Sequence, residues 1–473
     1  MVNDFYTKYK TEIEEIAKNT RKQLLEENIP FWENRILDVE YGGYFNTFNK
    51  KGERVDDVKV GWFVGRDMYT FSALYRKIQP QKKWLDIAKQ GYDFLETSFY
   101  AGEGRFNKLL SRKGEVLEGT TSIFTDFFAV KGLFEYLKAI ENPSEEQLEK
   151  AKFLADKLFE NIKKDEILSR EGIKPGWQKH AINFMTLLVA LESRELFGNF
   201  YEDILRECVQ KSLYEFVDDE LKAPFENVKI GGTPELIGEG RLVDAGHTME
   251  SLWFSMIAGE VLNEVSWKKR AAEILDWVIE RCYDEEKGGF YQHVDVENME
   301  PEEEFLVTNY SGHPAAWNSK IWWVQAEGLN ALFMSALLNE NEKHFTYFKK
   351  LYTYVEKLFR DKEYGEWYSI LDRNGGVVCD YKGFELKGPY HITRALKDTL
   401  GSLDKVKRIV KAFGLVNCGE GFNDIEKVFD GFSDTIADVL EERGYHTRTV
   451  MGTRNLPNHN IPVEIEVIVE VEE

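Results

Sequence analysis

Through most of residues 1–402 the apolar positions fall three and four apart. The segments AKQGYDFLETSF, TSIFTDFFAVKGLFEYLKAI, AINFMTLLVALESREL, TMESLWFSMIAGEVL, KRAAEILDWVIERCY and WWVQAEGLNALFMSALL all carry this spacing. It is the period of a helix buried along one stripe, as Met249, Leu252, Trp253, Met256 and Ile257 illustrate. Strand-like alternation is confined to short stretches, and these recur: GGYFNTFNKKG from Gly42, GRFNKLLSRKG from Gly104, GGFYQHVD from Gly288 and GEWYSILDRNG from Gly365. Small residues, aromatics and a polar turn predict hairpins on the connections between helices. Helix, hairpin and helix repeated through the whole region predict a closed or stacked array of paired helices. A ring of that kind gathers its loops at one end, where a pocket forms.

The pattern changes near residues 402–406, which divides the chain into a helical region, 1–402, and an α+β segment, 403–473. VKRIVKAFGLVN predicts a strand, Ile425, Val428, Phe429, Phe432, Ile436, Val439 and Leu440 one amphipathic helix, and HTRTVMGTRNLP a second strand. In VEIEVIVEVEE, Val463, Ile465, Val467 and Val469 alternate with Glu464 and Glu466, as on a strand with one apolar face. A small sheet of this kind has open edges and needs a covering surface.

A formal net charge of −22 argues against nucleic acid as a ligand, because such a chain repels phosphate backbones. The four cysteines, Cys208, Cys282, Cys379 and Cys418, stand far apart with no CxxC pair, which disfavours a zinc site and a disulfide framework. The N-terminal residues lack the apolar core of a signal peptide, and no run of about 18 apolar residues occurs. A soluble cytoplasmic protein without a membrane partner is expected. Eleven Trp and 22 Tyr supply core, and also flat walls on which sugar C–H faces stack.

Four segments set polar groups among apolar ones. KVGWFVGRDMYTFSALY places Arg66 beside Trp62, Phe63 and Tyr69. DAGHTMESLWF puts His247 and Glu250 three apart, on one helix face away from the apolar stripe. Glu250 in that position would orient the imidazole; metal ligation lacks a clear third ligand. NSKIWWVQAEGLNALF carries Glu327 in a nearly all-apolar helix, where an unpaired carboxylate is costly to bury. KGPYHITRAL holds His391 behind Pro389, at the stiff first turn of a helix whose field lowers an imidazole pKa. Two imidazoles, two carboxylates and an arginine suit proton abstraction beside a carbonyl, with the guanidinium on the developing enediolate oxygen. No metal, nucleotide loop or nucleophile elbow is visible, and no cofactor is expected. GEGFND and GGTPELIGEG are too loose for phosphate-binding loops.

GGYF, the GR of WFVGRDMYTFSALY, GHTMES-W, K-WWVQAE and KGPYH-R, in that order over residues 25–400, resemble the N-acylglucosamine 2-epimerase family, which includes cellobiose 2-epimerases and aldose–ketose isomerases. The resemblance implies an (α/α)6 barrel with hairpins in its loops. It implies that His247 and His391 are the acid/base pair serving opposite faces of C2, that Arg66 holds a substrate oxygen, and that Glu250 and Glu327 stand beside them. It also implies a pocket asparagine at Asn183, with Trp322, Trp323 and Tyr390 around the sugar. Cellobiose epimerases and the isomerases carry a histidine four residues after that asparagine, where this chain has Leu187; His180 replaces it only if the register differs. The implied activity is a sugar 2-epimerase acting on an aldose or N-acylhexosamine. Aldose–ketose isomerase, cellobiose 2-epimerase and a non-catalytic sugar-binding protein stay open as alternatives, as does homo-oligomerisation through the barrel faces or the C-terminal segment. The tail from GLVNCGEGFND onward resembles the second half of reactive-intermediate imine deaminases of the YjgF type, with Arg448 and Glu464 matching site residues of that family.

Overall fold

The computed structural model describes residues 4–401, 406–417, 424–440, 447–453 and 463–471. The chain divides into two compact units, Met1–Thr399 and Leu400–Glu473. The expected boundary at 402–406 falls mostly outside the described residues, as do GEGFND and Cys418.

Among the described residues, the twelve longer helices of the first unit alternate between an outer and an inner ring, with shorter helical turns such as Ile29–Glu33 on the connections. The outer helices are α1 (Asp4–Gln23), α3 (Lys82–Phe94), α5 (Glu145–Asn161), α7 (Glu202–Gln210), α9 (Val265–Cys282) and α11 (Glu342–Leu358). The inner helices are α2 (Gly61–Lys77), α4 (Ile123–Ala139), α6 (His180–Glu192), α8 (Ala245–Val261), α10 (Trp322–Asn339) and α12 (Tyr390–Gly401). Along the chain α2 packs on α4, α4 on α6, α6 on α8 and α8 on α10. Ion pairs and ring contacts from α12 to α8, α10 and α2 close the circle. This is an (α/α)6 barrel.

The two rings differ in sequence because they differ in surroundings. Outer α3 buries Trp84, Ile87, Ala88, Gly91 and Phe94, one stripe at helical spacing. Inner α4 and α10 are buried nearly all round and read as almost continuous apolar runs. Where α2 crosses α4 the backbones nearly touch: a Cβ on Gly65 would lie 2.4 Å from the Phe128 carbonyl, and one on Gly132 would lie 2.3 Å from the Gly65 oxygen. Glycine is needed there by contact, not by conformation.

The four recurring stretches are the expected short hairpins on connections between helices, with antiparallel pairing at Leu37 and Tyr44, Leu109 and Glu118, Tyr283 and Phe290, and Arg360 and Trp367, and three share one device. Asp38, Asp284 and Asp361 each accept backbone N–H groups two and three residues on. Each also pairs with a fully buried lysine: Lys59 at 3.0 Å, Lys320 at 3.3 Å and Lys382 at 2.9 Å. A buried charge is tolerated because it is paired. No helix among the described residues is long and apolar enough to cross a membrane.

In the second unit the strand Val406–Asn417 lies between Thr447–Thr453, parallel to it, and Val463–Val471, antiparallel. The helix Ile425–Leu440 packs on the first two strands. Arg448 bonds Asp430 at 2.6 Å and Ser433 at 3.2 Å on that helix.

Candidate active site

All six inner helices begin at one end of the barrel, and their first turns line a cavity of about 250 Å3. Trp62 and Arg66 come from α2, Phe128 from α4, Phe184 and Met185 from α6, His247 and Glu250 from α8, Trp322 and Trp323 from α10, and His391 from α12. The positive ends of the helix dipoles therefore face the cavity, an environment suited to developing negative charge.

Trp323 stands between the two histidines. Its ring centroid is 5.3 Å from that of His247 and 5.8 Å from that of His391. The approach depends on Gly246, since a Cβ there would lie 2.2 Å from the Trp323 ring.

The two imidazoles are held in opposite charge states. His391 Nδ1 is 2.7 Å from Glu327 Oε1. Burial, followed by the positive charge of Arg66, pushes its pKa well below that of an ordinary histidine, and this outweighs the opposing pull of Glu250. A neutral ring donating Nδ1–H to Glu327 keeps its lone pair on Nε2. His247 Nδ1 is 3.0 Å from Glu226 Oε2 and 3.5 Å from Asp244 Oδ2. Burial alone would lower its pKa, but Asp244 and then Glu226 raise it to about 9. Asp244 also caps α8 through the His247 N–H at 2.9 Å and accepts from His293 Nε2 at 2.8 Å.

Arg394 binds the two inner carboxylates together. Its Nη2 is 2.5 Å from Glu250 Oε1 and 2.6 Å from Glu327 Oε1, while Trp253 Nε1 donates to Glu327 Oε2 at 2.9 Å. Glu250, Glu327 and His391 offer ligand atoms within 4.8 Å of one another, close enough for a metal ion. The guanidinium of Arg394 already bonds both carboxylates and supplies the positive charge, so this donor set reads as an ion-pair network. Arg66 sits among Phe128, Trp62 and Tyr390, with its guanidinium carbon 4.1, 5.4 and 5.4 Å from their ring centroids. Its Nη1 donates to the Leu386 carbonyl at 3.1 Å. Burial lowers its pKa to about 10, which leaves it cationic near neutrality.

A profile of the N-acylglucosamine 2-epimerase (GlcNAc 2-epimerase) family matches residues 43–395. The chain belongs to this family. It is 28% identical to the N-acylglucosamine 2-epimerase of Homo sapiens over 406 residues, covering 80% of this chain and 89% of that protein. It is 23% identical to the cellobiose 2-epimerase of Bacteroides fragilis over 417 residues, covering 82% of this chain and all of that one. Among solved structures, a cellobiose 2-epimerase from Bacillus thermoamylovorans B4167 shares the fold with a TM-score of 0.69 at 19% identity, over 82% of this chain and 99% of that one. A D-mannose isomerase does so at 0.68 and 16% identity, over 82% and 98%.

Against the residues that the epimerase-family resemblance implies, the structure brings His247, His391, Arg66, Glu250, Trp322 and Trp323 to one cavity, with Glu327 directly behind His391. Three readings are corrected. Glu250 does not orient His247; it holds Arg394, and the carboxylates at His247 are Glu226 and Asp244. Asn183 points away from the cavity and donates to the Cys208 carbonyl at 2.9 Å and Ser212 Oγ at 2.8 Å. The cavity face of α6 is Ala181, Phe184 and Met185, which lies on the other side of the helix. Tyr390 is 1% exposed, and its hydroxyl accepts from Arg394 Nη1 at 2.6 Å and from Lys131, so it supports the arginines instead of walling the sugar. His180 is buried against Ser251 at 2.9 Å and does not stand in for a histidine at Leu187. Asp244 was findable as a helix-capping residue before GHTMES. Glu226, twenty-one positions from His247 and in another loop, left no signal.

Proposed function

We propose that this chain is a carbohydrate 2-epimerase working on the open-chain form of an aldose. The reading rests on one observation: two imidazoles flank a single indole in a cavity that also presents a guanidinium; the opposed pKa directions of the two rings fit an acid and a base. Neutral His391 removes the C2 proton through Nε2. The Arg66 guanidinium and the converging helix ends stabilise the enediolate oxygen. Protonated His247, with Nδ1 held by Glu226, returns a proton to the opposite face of C2. Exchange with solvent then resets the pair.

The substrate class favoured is a monosaccharide N-acylhexosamine. A cavity of about 250 Å3 lies below the ~300–1,000 Å3 usual for drug-sized ligands, and the wall of Ala181, Phe184 and Met185 suits a methyl-bearing substituent better than a row of hydroxyls. A panel of N-acylhexosamines, plain aldoses and β-linked disaccharides in heavy water tests both points. Deuterium at C2 of an aldose product, read by NMR, is expected. Ketose as the sole product makes the chain an isomerase, and inactivity on the whole panel favours a sugar-binding role.

A further inference from the structure

Four polar groups on cavity-lining residues find no hydrogen-bond partner among the described residues: Arg66 Nε, Trp62 Nε1, Trp322 Nε1 and the Tyr310 hydroxyl. Buried polar groups in native proteins are normally paired, so orphans in a binding cavity point to what the cavity receives. The first three are donors only, and call for an oxygen-rich ligand.

Tyr310 differs from the others in its origin. It ends the first strand of a hairpin, Val307–Tyr310 paired with His313–Ala316, that belongs to neither ring of helices. The turn, Ser311 and Gly312, has φ of 51° and 89°. Its side chain is 5% exposed and meets Trp322 edge to face at 5.8 Å. The Tyr310 hydroxyl lies near enough to Trp323 to feel its N–H, yet forms no hydrogen bond of ordinary geometry. It is thus held beside the indole that separates the two histidines.

The hairpin tip is fixed by the loop that also positions Arg66 and His391. Ser311 Oγ donates to Glu385 Oε2 at 3.2 Å, and the His313 ring lies 4.8 Å from Tyr381 and 5.0 Å from Phe384. Leu386, one residue on, accepts from Arg66. One short loop therefore sets the distance between the Tyr310 hydroxyl, the guanidinium and the start of α12.

Building on the reading of the cavity as a sugar site, we infer that Tyr310 is a specificity-determining residue whose hydroxyl donates to one hydroxyl oxygen of the sugar beyond C2. The hairpin is the device that carries it to the reaction zone.

Tyr310→Phe tests this by removing the donor and keeping the ring. A ten- to hundred-fold loss in kcat/KM is expected with an unchanged melting temperature. A series of substrate analogues, each lacking one hydroxyl beyond C2, gives the discriminating readout. For one analogue the wild type and Tyr310→Phe should converge in kcat/KM, because the oxygen that Tyr310 reads is gone. The same comparison is made by calorimetric titration with the matching alditols, which bind without reacting. Equal kcat/KM for the two proteins on the intact sugar overturns the inference, as does a constant ratio across every analogue. Alditol binding that weakens in Tyr310→Phe, by a wild type that turns over no sugar, sinks the epimerase reading and keeps the role of Tyr310. A wild type that neither binds nor reacts overturns both.

Discussion

Replacing Glu226 by glutamine removes one negative charge from behind His247 and leaves an oxygen that still accepts from Nδ1, 3.0 Å away. In the wild type, Asp244 and Glu226 together overcome the burial that would otherwise lower the His247 pKa, and raise it to about 9. An opposite charge within ~4–6 Å shifts a pKa by about 1–3 units. Because Asp244 remains, a fall of about 1–2 units is expected, or about 1.4–2.7 kcal/mol less support for the imidazolium. His247 acts as the acid, so its protonated form is the active one. The kcat/KM profile of the wild type is therefore level from neutrality up to about pH 9 and falls tenfold per unit above it. In Glu226→Gln the alkaline limb moves down by about 1–2 units. Stability follows the same sign. The folded pKa exceeds the unfolded value of ~6.5, so the contribution of His247 is complete below ~pH 6.5 and is lost as the pH rises through about 9. The assay is the initial rate of C2 inversion by NMR from pH 5 to pH 10, with melting temperatures across the same range. An alkaline limb that stays in place in a folded Glu226→Gln protein refutes the assignment of His247 as the acid.

Other expectations follow from the same geometry. His391→Ala removes the neutral base, and turnover falls by about 10²–10⁴-fold, while circular dichroism stays that of the wild type because Glu327 keeps Arg394 and Trp253. Arg394→Met leaves Glu250 and Glu327 buried without their shared cation, and denaturant unfolding should report a loss of about 3–5 kcal/mol; an equally stable variant contradicts the network. Asn183→Ala removes two buried hydrogen bonds and costs about 1–3 kcal/mol of stability, with KM unchanged, since the side chain faces away from the cavity; a large rise in KM would restore it to the sugar site.

Several elements of this enzyme were legible in the chain itself. The 3.6-residue period marked helices of both rings, and the sites came from helix starts where a polar group interrupts an apolar run: Arg66, His247 and His391. The stretches at Gly42, Gly288 and Gly365 were legible as short hairpins, although the pairing of their aspartates with buried lysines was not, because Lys320 is thirty-six positions from Asp284. Errors arose where the face of a helix had to be chosen. Asn183 and Phe184 are adjacent in sequence, yet Phe184 lines the cavity while Asn183 points into the packing behind it. Glu250 shares a face with His247 by spacing, but Arg394, 144 positions away, claims its carboxylate.

Local patterning determined that the chain forms paired helices and which of their ends carry chemistry, because helix period and breaker residues act over a few positions. Only closure of the ring decided which charges meet. His391 meets Glu327 and His247 meets Glu226 across gaps of 64 and 21 residues; burial and the Arg66 guanidinium hold the first ring neutral, while Asp244 and Glu226 keep the second charged. Burial and charges brought in from other elements act through space, so they are set only once the helices pack.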